Sequence, residues 1–211
     1  MNFIFIILTF LISAVIARIL IPRILLISLR KKLFDIPDDR KIHKRAIPRL
    51  GGVSFFPTTL FAFCLVYAFR LLDGNSISTL YASYLLPELL LFACGMTLLY
   101  LTGIADDLVG VRYRQKFAIQ IFCACLFPLS GLWINDLYGL FGIHELSAYV
   151  GIPFTVLTVV FITNAINLID GIDGLASGLS SVALLVFTFL FISKGLWSYA
   201  MLSAGTFGVL V

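Results

Sequence analysis

Charge is the scarcest property of this sequence. Asp, Glu, Lys and Arg supply 12% of its 211 residues, against about 25% in an ordinary soluble domain. A water-facing globular surface cannot be built from so few ions. Histidine is rarer still: His43 and His144 are the only two, and the topology derived below puts them on opposite faces of a membrane, so no Ser/His/Asp nucleophile set can be assembled. The four cysteines, Cys64, Cys94, Cys123 and Cys125, all fall inside apolar runs without the spacing of a zinc site, and are expected to be reduced, small hydrophobes. There is no Gly-x-x-x-x-Gly-Lys-Ser/Thr loop and no Gly-x-Gly-x-x-Gly after a strand, which excludes phosphate cradling of the P-loop or dinucleotide kind.

What fills the chain is apolar surface. Hydrophobic residues make up 61% and the mean hydropathy is +1.07, so the expected class is all-α, a polytopic transmembrane helical bundle read as a single integral membrane domain over residues 1–211. Taken as charge-free runs, the spans are Met1 to Ala17, Gly51 to Phe69, Leu89 to Ala105, Phe117 to Asn135, Leu146 to Ile169, Gly174 to Ser193 and Gly195 to Val211, seven in all, each near the roughly 20 residues a bilayer core requires. The first run is not expected to be a cleaved signal peptide, since it has no basic n-region and no small-residue cleavage site before Arg18. Of the 15 basic residues, 13 lie at the end of the first run or in the odd-numbered connections, and only Arg70 and Lys194 lie elsewhere. The positive-inside rule therefore puts the odd connections in the cytoplasm and the N-terminus outside. The net charge of +4 is a topology signal with some attraction to anionic lipid, and says nothing for nucleic acid. The outer segment from Asp136 to Ser147 carries Gly139 and Gly142 and is expected to turn back as a short hairpin.

One stretch interrupts the apolar pattern: Asn164-Ala-Ile-Asn-Leu-Ile-Asp-Gly-Ile-Asp-Gly-Leu-Ala-Ser-Gly178. It lies at a seam between 24 charge-free residues, Leu146 to Ile169, and 20 more, Gly174 to Ser193. An ionisable group at membrane depth costs about 2.5–3.5 kcal/mol on insertion scales, so function is its default explanation. Asn164, Asn167, Asp170 and Asp173 recur every three residues, which puts neighbours on adjoining parts of one helical face. Gly171 and Gly174 follow the aspartates, where glycine permits positive φ and close approach of a ligand. The plainer reading is a polar helix cap with a Gly174-x-x-x-Gly178 packing contact, but a cap needs one acceptor and this stretch offers four.

Asp106 and Asp107 form the second feature, followed by Arg112, Arg114 and Lys116. Adjacent carboxylates repel, and the arrangement is relieved by a divalent cation or by one member taking a proton. Magnesium suits such a place because it takes one or two carboxylates plus phosphate oxygens. The plainer reading has the cations snorkelling and Asp107 capping a helix. In the first connection, eight basic residues occupy the 21 positions from Arg30 to Leu50. Arg30, Lys31 and Lys32 suit a headgroup anchor, whereas His43, Lys44, Arg45 and Arg49 beside Pro48 and Gly51-Gly52 suit a phosphate-bearing ligand.

Together these pieces, Arg40-Lys41-Ile42-His43 with Pro48-Arg49-Leu50-Gly51-Gly52, Asp106-Asp107 with Lys116, and Asn164-x-x-Asn167-x-x-Asp170-Gly171-x-Asp173-Gly174, resemble the polyprenyl-phosphate N-acetylhexosamine-1-phosphate transferase family. The version at Pro48 to Gly52 is similar to the branch that moves N-acetylglucosamine 1-phosphate in O-antigen, lipopolysaccharide or teichoic acid synthesis. The resemblance implies transfer of an N-acetylhexosamine 1-phosphate from a UDP-sugar to a polyprenyl phosphate, with release of UMP, at a cytoplasmic active site. It further implies Mg²⁺, or Mn²⁺ in its place, held by Asp106, Asp107 and Asn167. Asp106, Asp107, Asp170 and Asp173 become catalytic, and Asn164, Asn167, Lys116, His43 and Arg49 substrate-binding. A homodimer is the implied assembly. Members of the family continue through further spans, so the chain is expected to be the N-terminal part of a longer transferase and inactive alone. The alternatives are a transporter or ion-coupled carrier, whose acids would sit at mid-span, and an inert truncated fragment.

Overall fold

A computed structural model describes residues 2–31, 33–35, 47–48, 50–72 and 76–211. His43 and Arg49 lie outside the described residues. Seven α-helices carry the fold: α1 Asn2–Arg30, α2 Phe55–Leu72, α3 Ser76–Val109, α4 Tyr113–Leu129, α5 Ala148–Ile169, α6 Leu175–Ser193 and α7 Trp197–Leu210. The only strands among the described residues are β1, Phe34–Asp35, and β2, Ile47–Pro48, paired antiparallel with Phe34 opposite Pro48 and Asp35 opposite Ile47. This is a polytopic helical membrane protein, as the composition indicates.

Five stretches are long and apolar enough to cross a membrane: Asn2–Arg30, Gly51–Leu72, Leu85–Val109, Ala148–Ile169 and Leu175–Ser193. With 17 and 14 residues, α4 and α7 are shorter than the roughly 20 that a bilayer core takes. Several boundaries differ from the charge-free runs. α1 continues through Arg18, Pro22 and Arg23 to Arg30, and α3 begins at Ser76 and passes Pro87 and Glu88. Charge marks where the bilayer core stops, while a helix continues into the headgroups, where long cationic side chains reach water. α4 ends early at Leu129, because the chain turns through Gly131 at φ +88°.

The chain divides into two compact units, Met1–Asn75 with Ile169–Val211, and Ser76–Leu168. In the first, α7 is the buried centre. Gly205 and Gly208 let α1 approach closely: a Cβ on Gly205 would meet Thr9 Cγ2 at 2.9 Å, and one on Gly208 would collide with Ser13 and the Phe10 carbonyl. Small residues at a helix contact are how membrane helices gain dispersion energy without a hydrophobic drive. Phe10 stacks on Phe207 at 5.5 Å and Phe3 meets Trp197 edge-on at 5.3 Å, so α1 and α7 run parallel. Ser203 donates to the Leu184 carbonyl at 2.8 Å, Phe191 touches Tyr199, and Arg70 donates to Ser198 Oγ at 3.1 Å. α2 and α6 therefore run against α7, and within this unit the start of α6 lies at the end where α1 finishes.

In the second unit α3 and α4 form an antiparallel pair, with Phe92 edge-on to Phe127 at 6.2 Å and Gly95 fitted against Leu126 and Cys123. α5 runs back along α4. At one end Thr155 Oγ1 accepts from the Ile134 N–H at 2.8 Å and Gly151 packs under Trp133; at the other Asn164 reaches Gln120. The segment joining α4 to α5 does turn back on itself, with Asp136 bridged to Glu145 and both Gly139 and Gly142 at positive φ.

Candidate functional site

Gly110, at φ +73°, ends α3 in the left-handed conformation that glycine adopts without a Cβ penalty. Its N–H bonds the Asp106 carbonyl at 3.0 Å. The Asp106 side chain completes the turn: Oδ1 accepts from the Val111 N–H at 2.9 Å and Oδ2 from Lys116 Nζ at 2.9 Å. Lys116 sits in the first turn of α4, whose N-cap Arg112 makes no side-chain capping bond. One carboxylate thus ties the end of α3 to the start of α4. The two side chains are 29% and 32% exposed, so water screens part of their attraction. Asp107, one position on, is exposed. The repulsion expected between the neighbours is relieved on Asp106 by a cation of the chain itself. Lys116, read from the sequence as a phosphate ligand, is placed on Asp106.

On α5, Asn164 donates both N–H groups, to Gln120 Oε1 and to the Val160 carbonyl, each at 2.8 Å. Gln120 is 6% exposed and lines a small groove between apolar side chains that include Phe92, Met96, Leu99 and Phe127. The sequence reading missed Gln120. Its signal was slight: one uncharged amide in an apolar run, four residues after Lys116 and so on the same face of a helix. Asn167, a turn beyond Asn164, is exposed.

Asp170 and Asp173 belong to the connection between α5 and α6, not to mid-helix. Two successive turns form it, with the Ile172 N–H on the Ile169 carbonyl at 3.2 Å and the Leu175 N–H on the Ile172 carbonyl at 3.1 Å. Gly174 makes this path possible at φ +75°, a conformation costly for any residue with a Cβ; Gly171 is not in that region. The N-cap of α6 is Gly174, with no side-chain capping bond, and no atom of the described residues lies within 4 Å of where a Cβ on Gly178 would stand. The cap-and-packing explanation therefore fails for this stretch. Both aspartates are exposed and accept no hydrogen bond from the described residues, a condition that leaves them open to a ligand. An ion-coupled carrier would need such acids at mid-span.

Among the described residues, no three His, Cys, Asp or Glu side chains converge into a metal-holding group. Asp106, committed on both oxygens but with lone pairs to spare, and exposed Asp107 fit the type of site in which Mg²⁺ takes one or two carboxylates and completes its shell with water and substrate phosphate.

Comparison with known proteins adds a family match and three relatives. The profile described as Glycosyl transferase family 4 matches residues 89–211, a range containing every one of these side chains. A probable undecaprenyl-phosphate N-acetylglucosaminyl 1-phosphate transferase of Bacillus subtilis is 30% identical over 191 residues, covering 90% of this chain and 49% of that protein. A phospho-N-acetylmuramoyl-pentapeptide-transferase of Staphylococcus carnosus is 30% identical over 198 residues, 87% of this chain and 58% of its own. The undecaprenyl-phosphate alpha-N-acetylglucosaminyl 1-phosphate transferase of Escherichia coli K12 is 29% identical over 180 residues, 82% of this chain and 44% of its own. The chain spans about half the length of the curated relatives it matches.

Proposed function

Because the chain belongs to glycosyl transferase family 4, we propose that its protein transfers N-acetylglucosamine 1-phosphate from a UDP-sugar to a polyprenyl phosphate at the cytoplasmic face of a bacterial plasma membrane. This would be the first membrane step in building a cell-envelope polysaccharide. A phosphate oxygen of the lipid attacks the sugar-bearing β-phosphorus of the donor. A new P–O bond forms, the bond from that phosphorus to the bridging oxygen breaks, and UMP leaves with the electron pair. Two relatives whose names specify N-acetylglucosaminyl 1-phosphate transfer support the choice of sugar.

The observation that carries the reading is the unequal pair at the end of α3. Asp106 is fixed by Lys116 and the Val111 N–H, and Asp107, one position on and exposed, is assigned to positioning the lipid phosphate and receiving its proton. Asn164, with both N–H groups spent, offers its carbonyl oxygen as an acceptor. Asp170 and Asp173, exposed on the turn before α6, bind the nucleotide sugar. Asp106, Asp107 and Asn167 would hold Mg²⁺ or Mn²⁺, which would supply the charge neutralisation that two anionic phosphates need in order to meet. The experiment is UMP release from UDP-N-acetylglucosamine by the complete gene product: dependence on polyprenyl phosphate and loss in Asp107→Asn support the reading, and undiminished release by that variant refutes it.

A further inference from the structure

We propose that Gln120 is a positioning residue for Asn164, and that the Lys116–Gln120 face of α4 sets the spacing between the aspartates of α3 and the asparagines of α5. The inference rests on the transfer reading above. Lys116 and Gln120 are one helical turn apart on one face, about 6 Å along the axis. Lys116 holds Asp106 Oδ2 at 2.9 Å and Gln120 holds Asn164 Nδ2 at 2.8 Å. Two motifs far apart in sequence are thereby fastened to a single short stretch of helix.

The bond also fixes which atom Asn164 can present. An amide has two N–H donors and one carbonyl. Here the Val160 carbonyl takes one donor and Gln120 Oε1 the other, so only Oδ1 remains for a ligand. With the Gln120 oxygen gone, a single contact would oppose rotation of that amide. Because Gln120 is 6% exposed among apolar groove side chains, water cannot readily replace it, and a hydrogen bond in such surroundings is held more strongly than at the surface.

The test compares kcat and KM for UDP-N-acetylglucosamine, together with the melting temperature, in the complete gene product. The variants are Gln120→Leu, Gln120→Glu and the exchanged pair Gln120→Asn with Asn164→Gln. A loosened catalytic amide costs about 10²-fold, so kcat of Gln120→Leu should fall by that order with KM little changed. Gln120→Glu keeps an acceptor for Asn164 and should stay closer to wild type. The exchanged pair can still bond but moves the amide by a methylene, so it should recover the melting temperature without recovering kcat. If Gln120→Leu stays within about twofold of wild type in kcat, the inference is overturned. So it is if the exchanged pair restores rate and stability together, because the tie would then be structural only; this comparison decides the matter even where Gln120→Leu does not accumulate. A wild-type protein that releases no UMP overturns the transfer reading itself, which separates the two failures.

Discussion

Lys116 reaches back over the α3–α4 turn to place its ammonium 2.9 Å from Asp106 Oδ2. An Asp-Asp pair that looks symmetrical in sequence is therefore two different groups, one built into a turn and one exposed. The assignments above depend on that asymmetry, and the variants below probe it first.

Substituting the cation exposes its share of the work. In Lys116→Met, Asp106 keeps the Val111 N–H and loses the Lys116 ammonium. An ion pair one-third exposed is worth about 1 kcal/mol at most, so the melting temperature should drop only slightly. UMP release should fall much further, at least tenfold, because the turn carrying Asp107 loses its fastening. Thermal unfolding in detergent beside the release assay measures both.

The two aspartates should separate cleanly. Asp106→Asn weakens a turn and should lower stability and rate together, whereas Asp107→Asn should cost more in rate than in melting temperature, about 10²-fold or more, the size of a lost electrostatic contact to the reacting groups. Chelation should silence the wild type, Mg²⁺ should restore it, and Mn²⁺ should serve in its place. Equal behaviour of the two variants would contradict the division of roles.

Helix packing makes an independent prediction. A side chain at Gly208 would run into Ser13 and the Phe10 carbonyl, whereas among the described residues nothing stands within 4 Å of a Cβ at Gly178. Gly208→Leu should destabilise by about 1–3 kcal/mol or more through overpacking, while Gly178→Leu should stay within about 0.5 kcal/mol of wild type. Melting curves of the two leucine variants decide it.

At the acidic turn, Gly174 has φ +75° and Gly171 does not. Gly174→Ala should cost about 1–3 kcal/mol, the strain of a left-handed residue with a Cβ. Gly171→Ala should cost less. Comparable losses would mean that the turn has a different backbone path.

Much of this was legible in the sequence, for reasons that also explain what was not. Charge-free runs announced seven helices, yet α1 continues past Arg18 and Arg23 and α3 starts ahead of Glu88, because charge limits a bilayer core rather than a helix. Asp106, Asp107, Asp170 and Asp173 were visible as acids in an apolar chain. The partner of Lys116 was not, since a contact between residues ten apart exists only once Gly110 has turned the backbone. Gln120 carried only a slight signal. A single amide becomes informative only when a second helix brings Asn164 to it.

The most direct measurement follows a label in the β-phosphate of UDP-N-acetylglucosamine through a reaction of the complete gene product with polyprenyl phosphate. The account requires the label to enter the lipid fraction with one UMP formed per lipid product, and to return to the nucleotide sugar when UMP is added in excess. Label retained in UDP, with only the sugar moved to lipid, or label that never leaves the nucleotide, would contradict it.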